Sequence, residues 1–170
     1  WLSPEMTSPY AFYQYWLGVE DASVGQLLRV FTDRGPDEIA DLERQTAQRP
    51  QARAAQRVLA GDVTTLVHGA AATDAAIAAS AALFGRGDLA SVDEPTLRAA
   101  LTEAGLHQVS GEVPTVAALL VAAGLVKSLS EARRVVAEGG ASVNNVRVGE
   151  ADHVPVADEL LHGRYLVLRR

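Results

Sequence analysis

The run Pro114-Thr115-Val116-Ala117-Ala118-Leu119-Leu120-Val121-Ala122-Ala123-Gly124-Leu125-Val126-Lys127-Ser128-Leu129-Ser130-Glu131-Ala132-Arg133-Arg134 holds two helix starts, a stop and a cationic bend. Thr115 is expected to cap a helix carrying Val116, Leu119, Leu120 and Ala123, and Gly124 to end it. Ser130 is expected to cap a second helix from Glu131 to Glu138, which Gly139-Gly140 terminates. Beyond this hairpin, Ala141-Ser142-Val143 and Val146-Arg147-Val148 flank an Asn144-Asn145 turn, and Arg164 to Arg170 alternates polar with apolar. Both patterns predict strands, so residues 114–170 form a small α+β module.

Upstream the pattern differs. His107-Gln108-Val109-Ser110-Gly111-Glu112 is polar and aperiodic, and residues 108–113 are taken as a linker. Before it every periodic segment is helical. Ser8-Pro9 opens a helix to Gly18 that carries Tyr10, Phe12, Tyr13, Tyr15 and Trp16, five of the chain's nine aromatics. Such a helix docks on a body; the sharper alternative is a base-stacking platform. A second helix follows from Asp21 with Val24, Leu27, Leu28 and Phe31 on one face. A third starts at Pro36 with Ile39 and Leu42, and Pro50 ends it. The longest candidate runs from Gln51 to His68, with Ala55, Leu59, Val63, Leu66 and Val67 recurring at three- and four-residue spacing and Gly69 as its C-terminal cap. Thr73 is expected to cap a further helix containing Ile77, Leu83 and Phe84, with Gly85-Arg86-Gly87 as the turn after it. Pro95 opens the last, with Leu97, Leu101 and Leu106 facing inward.

Composition narrows the function. There is no cysteine among the 170 residues, which excludes a disulfide framework and a thiolate metal site and suits a reducing, cytoplasmic setting. The longest apolar run, Val116 to Val126, is 11 residues and too short to span a bilayer, which needs roughly 18 or more. The opening Trp1-Leu2-Ser3-Pro4 has neither the basic start nor the apolar stretch of a secretory signal, and no initiator Met, so something is expected to precede it. Net charge is −6, but residues 1–113 carry 8 Arg against 15 acids while residues 114–170 carry 7 basic residues against 6 acids. Charge is therefore distributed by region.

The bend from Lys127 to Arg134 gathers a cation, hydroxyls and paired Arg within eight residues. A helix N-terminus offers free N–H groups, so a phosphate oxygen could meet several donors there. The competing interpretation is a solvated helix face beside a surface turn. Asn145 and Arg147 on the strand turn are expected nearby. His68 sits where its ring can interact with the last carbonyls of a helix; His107, His153 and His162 are isolated, with no His-x-x-x-His pair. No metal site is expected. Asp37-Glu38 and Asp93-Glu94 fall at helix starts where capping explains them, and no catalytic residue is identified.

Trp1-Leu2-Ser3-Pro4-Glu5-Met6-Thr7-Ser8-Pro9-Tyr10 through Phe12-Tyr13-Gln14-Tyr15-Trp16 resembles the segment just after the signature lysine loop of bacterial tyrosyl-tRNA synthetases. The likeness continues in Arg53-Ala54-Ala55-Gln56-Arg57, Leu66-Val67-His68-Gly69 and Ala82-Leu83-Phe84-Gly85. Val113-Pro114 to Leu161-His162-Gly163-Arg164-Tyr165-Leu166-Val167-Leu168-Arg169-Arg170 resembles the S-four-type RNA-binding domain that closes the same proteins. The resemblance implies four parts: residues 1–18 as the trailing segment of a catalytic domain, 19–107 as an α-helical anticodon-binding domain, the 108–113 linker, and 114–170 as a small α+β S-four-type domain. The Rossmann-like catalytic fold would precede Trp1. By the same resemblance Lys127, Ser128, Ser130, Arg133, Arg134, Asn145 and Arg147 face RNA backbone, with an Asn-Gly turn more usual where Asn144-Asn145 stands. Asp33, Arg34 and Arg57 are candidates for the anticodon side, and Arg169-Arg170 matches the start of a basic tail that usually runs further. The implied parent is a cytoplasmic homodimeric class I ligase that uses ATP, with magnesium, to join L-tyrosine to its tRNA through tyrosyl-adenylate. This segment would bind tRNA and its own catalytic domain, and no cofactor itself. Two other functions compete: a free-standing RNA-binding regulator or ribosome-associated factor, and a helical protein-interaction adaptor.

Overall fold

The computed structural model describes residues 2–84 and 87–170, so Trp1 and the expected turn at Gly85-Arg86 lie outside the described residues. The chain forms two compact units, one ending at Ser80 and the other running from Ala81 to Arg170.

The first unit is helical. Its elements are α1 (Pro9–Leu17), α2 (Asp21–Phe31), α3 (Pro36–Gln48), a short 3-10 turn (Pro50–Ala52), α4 (Ala54–His68) and most of α5 (Ala70–Leu83). Ser8 Oγ accepts the N–H of Ala11 at 3.1 Å, with Pro9 at the first position, as expected. Phe12, Val24, Leu28, Ile39, Leu59 and Val63 form the core, each contributing roughly 1.5–3 kcal/mol on full burial. Tyr10, Phe12 and Tyr13 are buried, so α1 is a docking helix, although Tyr15 stays 70% exposed.

Three helix details differ from expectation. α4 does not run from Gln51: Arg53 adopts a left-handed conformation, φ 49°, and the helix begins at Ala54. The Arg53 guanidinium donates to Leu17 O at 2.6 Å and Val19 O at 3.0 Å. Such charged bonds, about 1.5–3 kcal/mol each, exceed the ~1–2 kcal/mol cost of a non-glycine residue in that region. Gln56, fully buried, reaches the same corner through Asp21 Oδ1 at 2.6 Å. Second, Thr73 is not a cap, because α5 starts at Ala70; its hydroxyl donates back to Gly69 O at 3.0 Å. Third, His68 does not serve the last carbonyls of α4. Its ring lies edge-on to Phe12, centroids 5.0 Å apart, and its buried Nε2 has no hydrogen-bond partner.

The second unit contains a 3-10 turn (Leu89–Ser91), α6 (Glu94–Ala104), α7 (Val116–Ala122), α8 (Leu129–Ala137) and strands β1 (Ser142–Val143), β2 (Val146–Arg147) and β3 (Leu168–Arg169), with a 3-10 turn at Ala157–Glu159. Asp93 caps α6 by accepting the Thr96 N–H, which accounts for the acidic pair there. Leu97 and Leu101 are buried, but Leu106 is 47% exposed. The helix has ended at Ala104 and Gly105 turns the chain away at φ 95°, so Leu106 is off its apolar face. Residues 105–115 have no helix or strand, and Thr115 caps α7 as expected. α7 and α8 pack through Val116, Leu120, Ala132, Val135 and Val136 onto Val143 of a three-stranded antiparallel sheet, order β2-β1-β3. The strand expected from Arg164 shrinks to two residues, because Tyr165 instead bridges Leu161 in a tight hairpin.

Candidate RNA-binding surface

The bend between α7 and α8 is built by capping. Gly124 takes φ 69°, which lets the chain leave α7 sharply. Ser128, rather than the expected Ser130, caps α8: its Oγ accepts the Glu131 N–H at 3.2 Å, while Glu131 Oε2 accepts the Lys127 N–H at 2.9 Å. Starting two residues earlier puts a glutamate at the third helical position, where it can reach back; a start at Ser130 would put Arg133 there, which cannot accept. Ser130 lies in the first turn, and Arg133 and Arg134 keep their expected place in the second.

Lys127, Ser128, Ser130, Arg133 and Arg134 are all exposed around this bend. They are not all uncompensated. Arg133 meets Asp152 at 3.1 Å in a solvent-exposed pair. Glu131 occupies part of the donor-rich helix start and pairs with Arg170 at 3.0 Å, while Arg170 also donates to Leu125 O at 2.9 Å. The Lys127 N–H first, and then Arg170 and Arg134, hold the Glu131 carboxyl below its ordinary pKa.

The second cluster lies on the sheet. Asn144 and Asn145 take φ 49° and 66°, making the β1–β2 turn with two left-handed residues, as a primed hairpin turn requires. Arg147 stands opposite Ser142 on one side and Arg169 opposite Ser142 on the other, so the two Arg share a face of the sheet. A Cβ on Gly139 would come within 3.3 Å of the Arg147 side chain, so glycine lets that chain lie across the end of α8. Asn145 is more engaged than its residue type suggested: its Nδ2 donates to Ala82 O at 2.7 Å, and its Oδ1 accepts from Arg169 at 3.2 Å. Arg169 at the end of β3 and Arg170 just after it thus touch both clusters, Arg169 at the turn and Arg170 at the bend. Sequence reasoning placed them at the end of an alternating strand and the start of a tail, and no local pattern signalled those contacts.

Of the remaining three histidines, two are engaged. His153 pairs with Glu159 at 3.0 Å, helping the Val156 N–H to depress the Glu159 carboxyl, and His162 Nε2 donates to Val92 O at 2.8 Å.

In the first unit Arg34 makes a two-pronged pair with Asp62 and lies 3.6 Å from Glu38, which together raise its pKa further. Asp33 and Arg57 are exposed. Arg57 acts on Tyr13, whose phenol is raised by burial and partly lowered by that guanidinium. Among the described residues no hydrogen bond or ion pair joins Asp33, Arg34 and Arg57 to one another.

The chain is similar over nearly all its length to proteins of one kind. The family model for tRNA synthetases class I (W and Y) matches residues 1–85, and that for the tyrosine–tRNA ligase SYY-like C-terminal domain matches residues 97–170. The tyrosine–tRNA ligase of Streptomyces coelicolor is 57% identical over 170 residues, which is 100% of this chain and 40% of that protein. That of Mycobacterium tuberculosis is 56% identical over 171 residues, again 100% of this chain and 40% of the relative. The chain therefore spans about 40% of the length of the curated relatives it matches. Among solved structures, a C-terminally truncated Aspergillus nidulans mitochondrial tyrosyl-tRNA synthetase matches at 34% identity and TM-score 0.44, over 45% of this chain and 22% of that one.

Proposed function

The chain belongs to the tyrosine–tRNA ligase family of class I tRNA synthetases, and from that membership we propose that these residues hold and position the tRNA for tyrosine while the remainder of the ligase performs the chemistry. The observation that carries this is the exposed cation set of Lys127, Arg134 and Arg147, with Ser128 and Ser130 beside it, inside the part matched by the C-terminal domain model. Hydroxyls and cations around a helix start suit phosphate oxygens, and they would grip backbone without regard to base sequence.

In this assignment residues 1–18 trail a catalytic domain, 19–107 form the anticodon-binding bundle with Asp33, Arg34 and Arg57 on its anticodon side, 108–113 connect, and 114–170 are an S-four-type domain. Of the three anticodon-side residues, Asp33 and Arg57 are exposed enough to touch a base; Arg34 is held by Asp62 and would serve by shaping the corner. ATP, magnesium and L-tyrosine belong to the rest of a cytoplasmic homodimeric ligase.

The test is binding of the tRNA for tyrosine against variants with an altered anticodon or a shortened variable arm. Discrimination against at least one is expected, and indifference to both overturns the proposal. Changing Arg133 and Arg134 together to Ala should flatten the dependence of log affinity on log salt by about 1 to 2 units without altering sequence preference.

A further inference from the structure

The β1–β2 turn does more than reverse the chain. Asn145 spends both ends of its carboxamide inside the protein, the Nδ2 on Ala82 O at 2.7 Å and the Oδ1 on Arg169 at 3.2 Å, and it is half-buried rather than exposed. Its neighbour Asn144 closes the turn locally, donating to Glu159 O at 2.6 Å and accepting the Val167 N–H at 2.9 Å. The contact to Ala82 is different in kind, spanning 63 residues to the last turn of α5.

It is one of four polar contacts along the same seam. His162 donates to Val92 O at 2.8 Å, Arg164 meets Glu94 at 3.0 Å, and Tyr165 Oη reaches the same carboxylate at 3.4 Å. Residues 82–94 thus receive one contact from the turn and three from the Leu161–Tyr165 hairpin. Residues 105–112, by contrast, are exposed and have no helix or strand. Within the second unit the seam holds the turn and the Leu161–Tyr165 hairpin against residues 82–94.

We propose that Asn145 is a positioning residue for RNA: by tying the turn to α5 it places Arg147 and Arg169 for the nucleic acid, and does not itself contact the RNA. This rests on the tRNA-binding function proposed above. The choice of Asn over glycine fits, since Asn-Gly is the pair that a primed turn favours; Asn accepts the left-handed conformation less readily but adds the side chain that makes the tie.

That substitution also supplies the test, since Asn145→Gly keeps or improves the turn while removing the tie. Asn145→Ala is the second variant; it removes the same two side-chain bonds without adding charge and keeps a Cβ at the turn, so an effect common to both variants does not come from the flexibility of glycine. On the intact chain three quantities are read: native-state hydrogen exchange, affinity for the tRNA for tyrosine, and the salt slope of that affinity. Loss of one such bond should speed exchange across residues 89–97 by about 2- to 10-fold, with the β1–β2 amides unchanged in Asn145→Gly. tRNA affinity should weaken by a similar factor in both variants, and the salt slope should stay that of wild type, because no phosphate contact is removed. Unchanged exchange overturns the tie. Faster exchange with wild-type affinity overturns the positioning role. A wild-type chain that ignores tRNA overturns the preceding proposal and this role with it, whereas wild-type binding with unaffected variants overturns this inference alone.

Discussion

Arg133 and Arg134 are neighbours on α8 in different electrostatic surroundings. Arg133 is paired with Asp152 at 3.1 Å, whereas Arg134 acts on Glu131 only at longer range. An exposed pair contributes about 0–1 kcal/mol, so Asp152 restrains Arg133 without neutralising it. Arg134→Ala should therefore lower the salt slope of tRNA binding by about 1, and Arg133→Ala by less. Asp152→Asn, which frees Arg133, should tighten binding by up to about 5-fold. Titrations at a series of salt concentrations check all three, and equal slopes for the two Ala variants would refute the distinction. Glu131 behaves by a different rule. Its folded pKa lies below the ordinary 4.5 because the Lys127 N–H, then Arg170, favour the carboxylate. A depressed value contributes stability that is complete above the unfolded pKa and disappears as pH falls through the folded one. Acid unfolding of the wild type should accordingly show a loss, starting below about pH 4.5, that Glu131→Gln lacks because it has forfeited that increment already. Identical acid profiles for the two proteins would contradict the Glu131 assignment.

At the scale of elements, helix existence was legible, and so were the starts of α1, α2, α3 and α7, but not those of α4, α5 and α8. Apolar spacing at three and four residues located α2, α3, α6 and α7, since only one face of each can reach a core. The starts failed where several residues could cap. Ser128 and Ser130 are both suitable, and the decision went to the one whose third helical residue is Glu131. Ser128→Ala should thus cost about 1 kcal/mol in a urea titration and Ser130→Ala only a few tenths; the reverse order would restore the later start. α4 is instructive in another way: nothing local in Gln51-Ala52-Arg53 forbids helix, and the break at Arg53 follows from carbonyls 34 and 36 residues away. The site was legible to the same degree. The residue types at the bend pointed to phosphate, but the partners that decide which polar side chains are free, Asp152 for Arg133, Arg170 for Glu131 and Ala82 for Asn145, come from remote chain. Periodicity tells which face of an element is apolar and is silent on what meets it.

For the whole molecule the difficulty is charge. The unit ending at Ser80 has 10 acids against 6 Arg, net −4, and the unit from Ala81 has 11 acids against 9 basic residues, net −2. Neither is cationic as a body, so attraction to a polyanion must come from where the cations stand rather than from how many there are. Screening separates the two influences. At about 0.15 M salt the Debye length is about 8 Å, and a phosphate at the bend responds to Lys127 and Arg134 but hardly to distant carboxylates. At about 0.01 M it is about 30 Å, comparable to a small protein, and the net charge of −6 repels the tRNA as a whole. Counterion release alone gives a straight line of log affinity against log salt. Here the line should bend: steep above about 0.1 M, where local contacts are lost in proportion to salt, and markedly shallower below about 0.03 M, where long-range repulsion offsets the gain. Replacing exposed acids of the unit that does not carry the bend, such as Asp37 and Glu38 of α3, by their amides should straighten the low-salt limb and leave the high-salt limb alone. Fluorescence titration across the whole salt range is the measurement, and a line straight to the lowest salt would show that the arrangement of local cations alone governs encounter.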